Sequence, residues 1–189
     1  MSLALLLPAC ATQPLLNLPE MSGWPARQAT LQAADYWQFS GRVAVSANDE
    51  GFNGKLLWSQ RNDKFRATVS GPLGIGTVRI EGDDRGVELT DNDGQVTRLQ
   101  DAEQELQLRY GWTIPVESLR YWALGVPDPG RAADTEIADD GTLTALSQGS
   151  WQVNIEQYRD SAGQPMPRRI TATNESTRVR LVIDRWVFY

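Results

Sequence analysis

The stretch QFSGRVAVSANDEGFNGKLLWSQ, residues 38–60, decides the architecture. Phe39, Gly41, Val43 and Val45 alternate with Ser40, Arg42 and Ala44, and after a polar break Phe52, Gly54, Leu56 and Trp58 alternate with Asn53, Lys55 and Leu57. A period of two is the mark of strands that bury one face. Outward from this pair, further strand candidates follow at 64–70, 77–81, 87–90 and 95–99. They are split by turn-forming stretches such as Asp83-Asp84-Arg85-Gly86 and Asp91-Asn92-Asp93-Gly94. This half reads as a meander of antiparallel hairpins. Strands resume at 143–146, 151–158, 168–173 and 178–188, giving roughly ten to eleven in all.

Three segments break the period. Between Trp24 and Tyr36 a short helix fits, with Pro25 acceptable in its first turn and Leu31 and Ala34 on one face. Asp101 and Gln104 have capping-box spacing, and Ala102, Leu106 and Tyr110 fall at i, i+4, i+8. After Pro115, Leu119, Trp122, Ala123 and Val126 share a helical stripe that Gly125 and Pro127 end. A sheet of this size must manage two edges, and curling until they nearly meet is the usual answer. The expected fold is therefore mainly β: an incomplete antiparallel barrel, with short helices capping or plugging a hydrophobic cavity. Leu119 and Trp122 form the natural plug. Phe39, Val43, Trp58, Ile80 and Trp151 complete the candidate lining, because they alternate as one face of a sheet should.

Composition narrows the function. The chain has 189 residues, enough for one sizeable core, and no linker or repeat divides it. With a net charge of -6, a sequence-independent grip on a phosphate backbone or an anionic lipid surface is poorly supported, and no nucleic acid is expected as a partner. The absence of histidine removes Ser-His-Asp and Cys-His catalysis and His-ligated zinc. Asp91-Asn92-Asp93-Gly94 lacks the later Glu of a calcium loop, and Asn174-Glu175-Ser176 reads as a turn, not a glycosylation site. Gly74-Ile75-Gly76 has neither the longer glycine fingerprint nor a following helix, so no nucleotide is expected. Spacing alone leaves a paired-carboxylate glycosidase open. No catalytic residue, metal site or cofactor is assigned.

Pro72-Leu73-Gly74-Ile75 is the anomaly, because a hairpin turn is ordinarily polar and this one offers Leu73 and Ile75. Leu73 either stands exposed or folds back into the core. At the N-terminus, Leu3 to Ala9 is apolar but far shorter than a membrane span and near the length of a signal-peptide apolar region. Cys10 is the only cysteine, so no intrachain disulfide is available to it. Leu7-Pro8-Ala9-Cys10 resembles the bacterial lipobox, which implies that Cys10 is acylated and becomes the first mature residue. Ala11, in place of the Asp that retains lipoproteins in the inner membrane, implies the outer membrane. The chain then divides into a signal-peptide remnant (1–9), a lipidated N-terminus and Pro-containing tether (10–24), and one domain (25–189).

SLRYWALGVP, residues 118–127, resembles the outer-membrane lipoprotein receptor family LolB. Further matches stand in family order: Tyr36-Trp37 leading into Gly41-Arg42-Val43-Ala44-Val45, the hairpin at 70–82, PMPRRI at 165–170, and LVIDRWVF at 181–188. The resemblance implies curved antiparallel strands and helices around a hydrophobic cavity for lipoprotein acyl chains. It further implies a lipid-anchored protein on the periplasmic face of the outer membrane that accepts acylated lipoproteins from the periplasmic carrier LolA. Such a protein passes them to outer-membrane lipid, acts as a monomer and catalyses no reaction. The loop Pro72, Leu73, Gly74 and Ile75 then matches the family's membrane-insertion loop. The alternatives are a periplasmic binding module for another amphiphile and a structural envelope lipoprotein with a filled barrel.

Overall fold

A computed structural model describes residues 16–47, 50–71, 76–83, 85–100, 102–110 and 113–189; Cys10 and the loop from Pro72 to Ile75 lie outside the described residues. The elements are α1 (Trp24–Gln32), β1 (Tyr36–Ala47), β2 (Glu50–Arg61), β3 (Lys64–Ser70), β4 (Thr77–Asp83), β5 (Gly86–Thr90) and β6 (Val96–Leu99). They continue with α2 (Ala102–Tyr110), α3 (Val116–Leu124), β7 (Ala133–Ile137), β8 (Leu143–Gln148), β9 (Trp151–Ser161), β10 (Gln164–Thr173) and β11 (Thr177–Phe188).

All strands join one antiparallel sheet in the order β6-β5-β4-β3-β2-β1-β11-β10-β9-β8-β7, which leaves β6 and β7 as edges and the barrel open. The expected architecture is what the chain adopts. Hairpins build each half, and the long-range pairing of β1 with β11, from Trp37 against Phe188 to Ala47 against Thr177, joins them. A register shift at Ser40/Gly41 interrupts this pairing. Only glycine fits there, since a Cβ on Gly41 would stand 2.2 Å from the Val182 carbonyl oxygen.

Alternation decides which residues face in. On β1, Trp37, Phe39, Val43 and Val45 are buried while Tyr36 and Arg42 are exposed. Turn chemistry matches as well: Asp91 Oδ1 accepts from the N–H groups of Asp93 and Gln95 at 2.9 Å each. Asn174 Oδ1 accepts likewise from Ser176 and Thr177 at 3.0 and 2.7 Å. Both acidic or polar stretches are satisfied turns, as read.

Two elements depart from the sequence reading. β7 lies outside the sequence expectations, because its three central residues, Asp134, Thr135 and Glu136, are polar and exposed, as suits an edge strand that must not recruit another chain. β10 begins at Gln164 and carries Pro165 and Pro167, although proline cannot donate to a ladder. This segment pairs with β9, through bulges around Pro167 and Arg169, while its pairing to β11 starts only at Arg169.

Candidate functional site at the inner face of the sheet

The inner face has two ends. At the near end Leu16 N–H bonds the Phe188 carbonyl at 3.0 Å, and β1 begins beside the β2–β3 turn. The far end carries the β3–β4 hairpin, closed at its neck by Gly71 N–H to Gly76 O at 2.9 Å.

Aromatic rings fill the near end. Trp37, Phe39 and Trp58 stack with centroids 6.2 to 6.4 Å apart, and Phe65 stacks on Trp58 at 4.9 Å. Trp186 tilts against Phe39 at 5.1 Å. Spacings of this kind are ordinary aromatic packing. The one polar side chain among them, Gln60, is buried and satisfied: it accepts from Trp58 Nε1 at 3.3 Å and donates to Asn62 O at 2.7 Å.

A second packed region lies under α3, where Val116, Leu119, Trp122, Ala123 and Leu124 are buried. The Trp122 ring lies 6.0 Å from that of Trp151, and its Nε1 donates to Gln148 Oε1 at 2.9 Å. Gln148 also accepts from Asp128 N–H at 3.0 Å and donates to the carbonyls of Asp128 and Arg131 at 2.9 Å each. Ser118 Oγ donates to Asp128 Oδ2 at 2.9 Å. A buried side chain with both its oxygen and its nitrogen engaged pins α3 and the following loop to the sheet. No sequence pattern announced Gln148, which lies at the end of β8 beside a glycine.

The far end is different. Phe52, Val69 and Val78 face inward on β2, β3 and β4, yet with Ile114 they are only partly buried, as is Ile80 in the row of Trp58. This is the open apolar mouth of the inner face. Beside it α2 is joined to its surroundings by side-chain bonds: Trp151 Nε1 donates to Glu103 Oε1 at 3.0 Å, Gln100 N–H to Glu105 Oε1 at 2.7 Å and Thr113 Oγ1 to Gln107 Oε1 at 2.5 Å. Leu108 on α2 is 79% exposed.

The nominated lining residues therefore share one hydrophobic cluster but not one location. Phe39, Trp58 and, across Ala67, Ile80 share one row of β1 to β4, Val43 lies beyond that row on β1 towards the far end, and Leu119, Trp122 and Trp151 lie under α3. An acyl chain reaches that last group only if α3 or its neighbours yield. A further recess, of about 1100 Å³, opens on the opposite, outer face. It is polar: Arg66 pairs with Glu81 and Arg98 with Glu88, each at 2.6 Å. Among the described residues no group of acidic, His or Cys side chains could hold a metal ion.

Against known families, residues 35–186 match the model for the outer membrane lipoprotein LolB. The chain belongs to the LolB family. An outer-membrane lipoprotein LolB from Nitrosococcus oceani is 38% identical over 175 residues, covering 92% of this chain and 87% of the relative. One from Stutzerimonas stutzeri is 31% identical over 188 residues, covering 97% and 91%. In fold, a crystal structure of a LolA superfamily protein from Nitrosomonas europaea superposes with a TM-score of 0.59 at 10% identity, covering 88% of this chain and 94% of that one. A DUF1329 family protein from Desulfovibrio piger follows at 0.56 and 4%. The LolB match spans β1 to most of β11, and so includes both packed regions and the mouth.

Proposed function

We propose that this protein is a lipid-anchored receptor of the outer membrane that takes acylated lipoproteins from the carrier LolA and delivers them to the bilayer. Acyl chains enter at the far end, between the partly buried Phe52, Val69 and Val78 and the neighbouring α2. That open apolar mouth carries the reading, since a filled structural barrel has no use for it. It also lies at the end of the sheet where Gly71 and Gly76 close the neck between β3 and β4, so the stretch from Pro72 to Ile75 can hand chains from mouth to membrane. Cys10 supplies the anchor, and the mature protein starts there. No reaction is catalysed. Affinity differences between carrier, receptor and bilayer set the direction, because each buried methylene is worth roughly 0.8 kcal/mol.

The test mixes the purified chain with carrier holding a labelled lipoprotein and follows the label. Co-purification of cargo with this chain, and its later flotation with vesicles, is the expected result. Cargo that stays on the carrier sinks the reading.

A further inference from the structure

The folded chain sorts its charges in a way that its net charge of -6 conceals. Arg42, Lys55, Arg169, Arg178, Arg180 and Arg185 are all exposed, on the neighbouring strands β1, β2, β10 and β11. Strand parity and register put them together on the outer face: Arg42 faces Lys55, Ala44 faces Arg180, Ser46 faces Arg178 and Ser40 faces Arg185. Their carboxylate partners are Asp184, 3.4 Å from Arg42, and Glu156 on β9, 3.9 Å from Arg169. Lys55, Arg178, Arg180 and Arg185 have no ion-pair partner among the described residues. Like charges placed opposite one another, as in Arg42 and Lys55, weaken a sheet, so packing gives no reason for this array.

Two further observations point to a lipid surface. Leu57 is 50% exposed at the edge of the array: it follows Lys55 on the same face of β2 and shares a row with Ser40 and Arg185. Beside it lies a recess of about 270 Å³ lined by Leu57, Arg185 and Val187. Cations around an apolar side chain suit headgroups with carbon beneath them. The second is reach. The described chain starts at Leu16, bonded to Phe188 at the end of β11, a central strand of this face. Leu16 is only six residues on from Cys10, about 20 Å at full extension. A bilayer holding an acylated Cys10 is thus within reach of the face.

We infer that the outer face of β2-β1-β11-β10 is a docking surface for anionic phospholipid, laying the sheet's back against the membrane. Its location beside a bilayer rests on the lipid-anchor reading; its chemistry does not. Full-length chain carrying Cys10→Ser, which blocks acylation, is sedimented with vesicles of phosphatidylethanolamine containing about 30% phosphatidylglycerol, and with neutral vesicles. Binding is expected only to the former and falls as salt rises. Lys55→Glu with Arg180→Glu lowers it by roughly tenfold, whereas the equal charge change at Arg159, near the end of β9, and Arg85, in the β4–β5 turn, leaves most of it. Equal loss in both double variants, or binding indifferent to phosphatidylglycerol, overturns the proposal. So does salt-sensitive self-association without vesicle binding, which would assign the face to the acidic surface of a second protein. Vesicle binding that persists in a chain unable to receive cargo would instead remove the receptor reading and leave this one standing.

Discussion

Gly125 ends α3 in the left-handed region, φ +80°, its N–H bonded to Trp122 O at 3.0 Å. A Cβ there would meet Pro167 Cγ and the Tyr158 hydroxyl at 2.9 Å each. Gly94 has nearly the same φ, +79°, with nothing within 4 Å. Gly94→Ala should therefore cost only the conformational strain, about 1 kcal/mol. Gly125→Ala should cost about 2–4 kcal/mol by urea unfolding, because the clash adds to the strain. Equal midpoints for the two variants would show that the contact is slack. Tyr158 itself gives a pH prediction. Burial pushes its phenol well above the usual value, although Arg27, whose guanidinium stands 5.5 Å over the ring, pulls the other way. Above a pH of about 10 the unfolded chain releases this proton and the folded chain keeps it. The native state then binds more protons, so stability falls as pH rises. In an absorbance titration one of the five tyrosines should ionise only as the protein unfolds, and Tyr158→Phe should remove that late step. Five coincident ionisations near pH 10 would contradict it.

At the scale of elements, α2 and α3 are held differently. α3 buries Leu119 and Trp122 and is pinned through the buried Gln148, while the bonds of α2 run through the partly or fully exposed Glu103, Glu105 and Gln107 beside the mouth. Helix ends with few buried contacts are the ones that open first. The β3–β4 hairpin then gives the sharper experiment. Leu73→Glu should leave folding and acceptance of cargo nearly unchanged and impair delivery to vesicles, because a charge is costly to push into an apolar layer. Co-purification scores the first step and flotation the second. Delivery equal to the parent's, or failure already at acceptance, would take the loop out of the insertion role.

For the whole molecule, a chain of ~16 carbons gains on the order of 12 kcal/mol of gross burial, so modest differences in fit can drive handover. ATP should make no difference with only carrier, cargo and this chain present; a reproducible requirement for it would contradict that account. Much of this was legible in the sequence. Alternation through Phe39, Val43, Phe52 and Trp58 assigned the inner face correctly, because parity follows from backbone geometry alone. It could not single out the mouth. Ile80 and Leu89 face one another across β4 and β5, yet only Leu89 is fully buried, and that difference depends on what lies over each. Nothing in the sequence singles out Arg27 on its short helix. In the fold it is buried, bonded to Pro165 O, and burial holds its pKa below the usual value. Net charge is silent on such placement for a related reason, since a sum over the chain carries no information about which face each charge takes.

The β1–β11 seam has a consequence for biogenesis. Every pair across it, from Ala47 with Thr177 to Trp37 with Phe188, joins positions at least 130 residues apart. Contacts so distant along the chain form late and make folding slow. While a ribosome is still making residues 177–188, β1 has a partner on one side only, and Phe39 lacks the Trp186 ring that packs on it. The nascent chain cannot close its sheet, and so stays threadable until synthesis is nearly complete. A polypeptide that must cross the inner membrane before it folds gains time from this arrangement of its own strands.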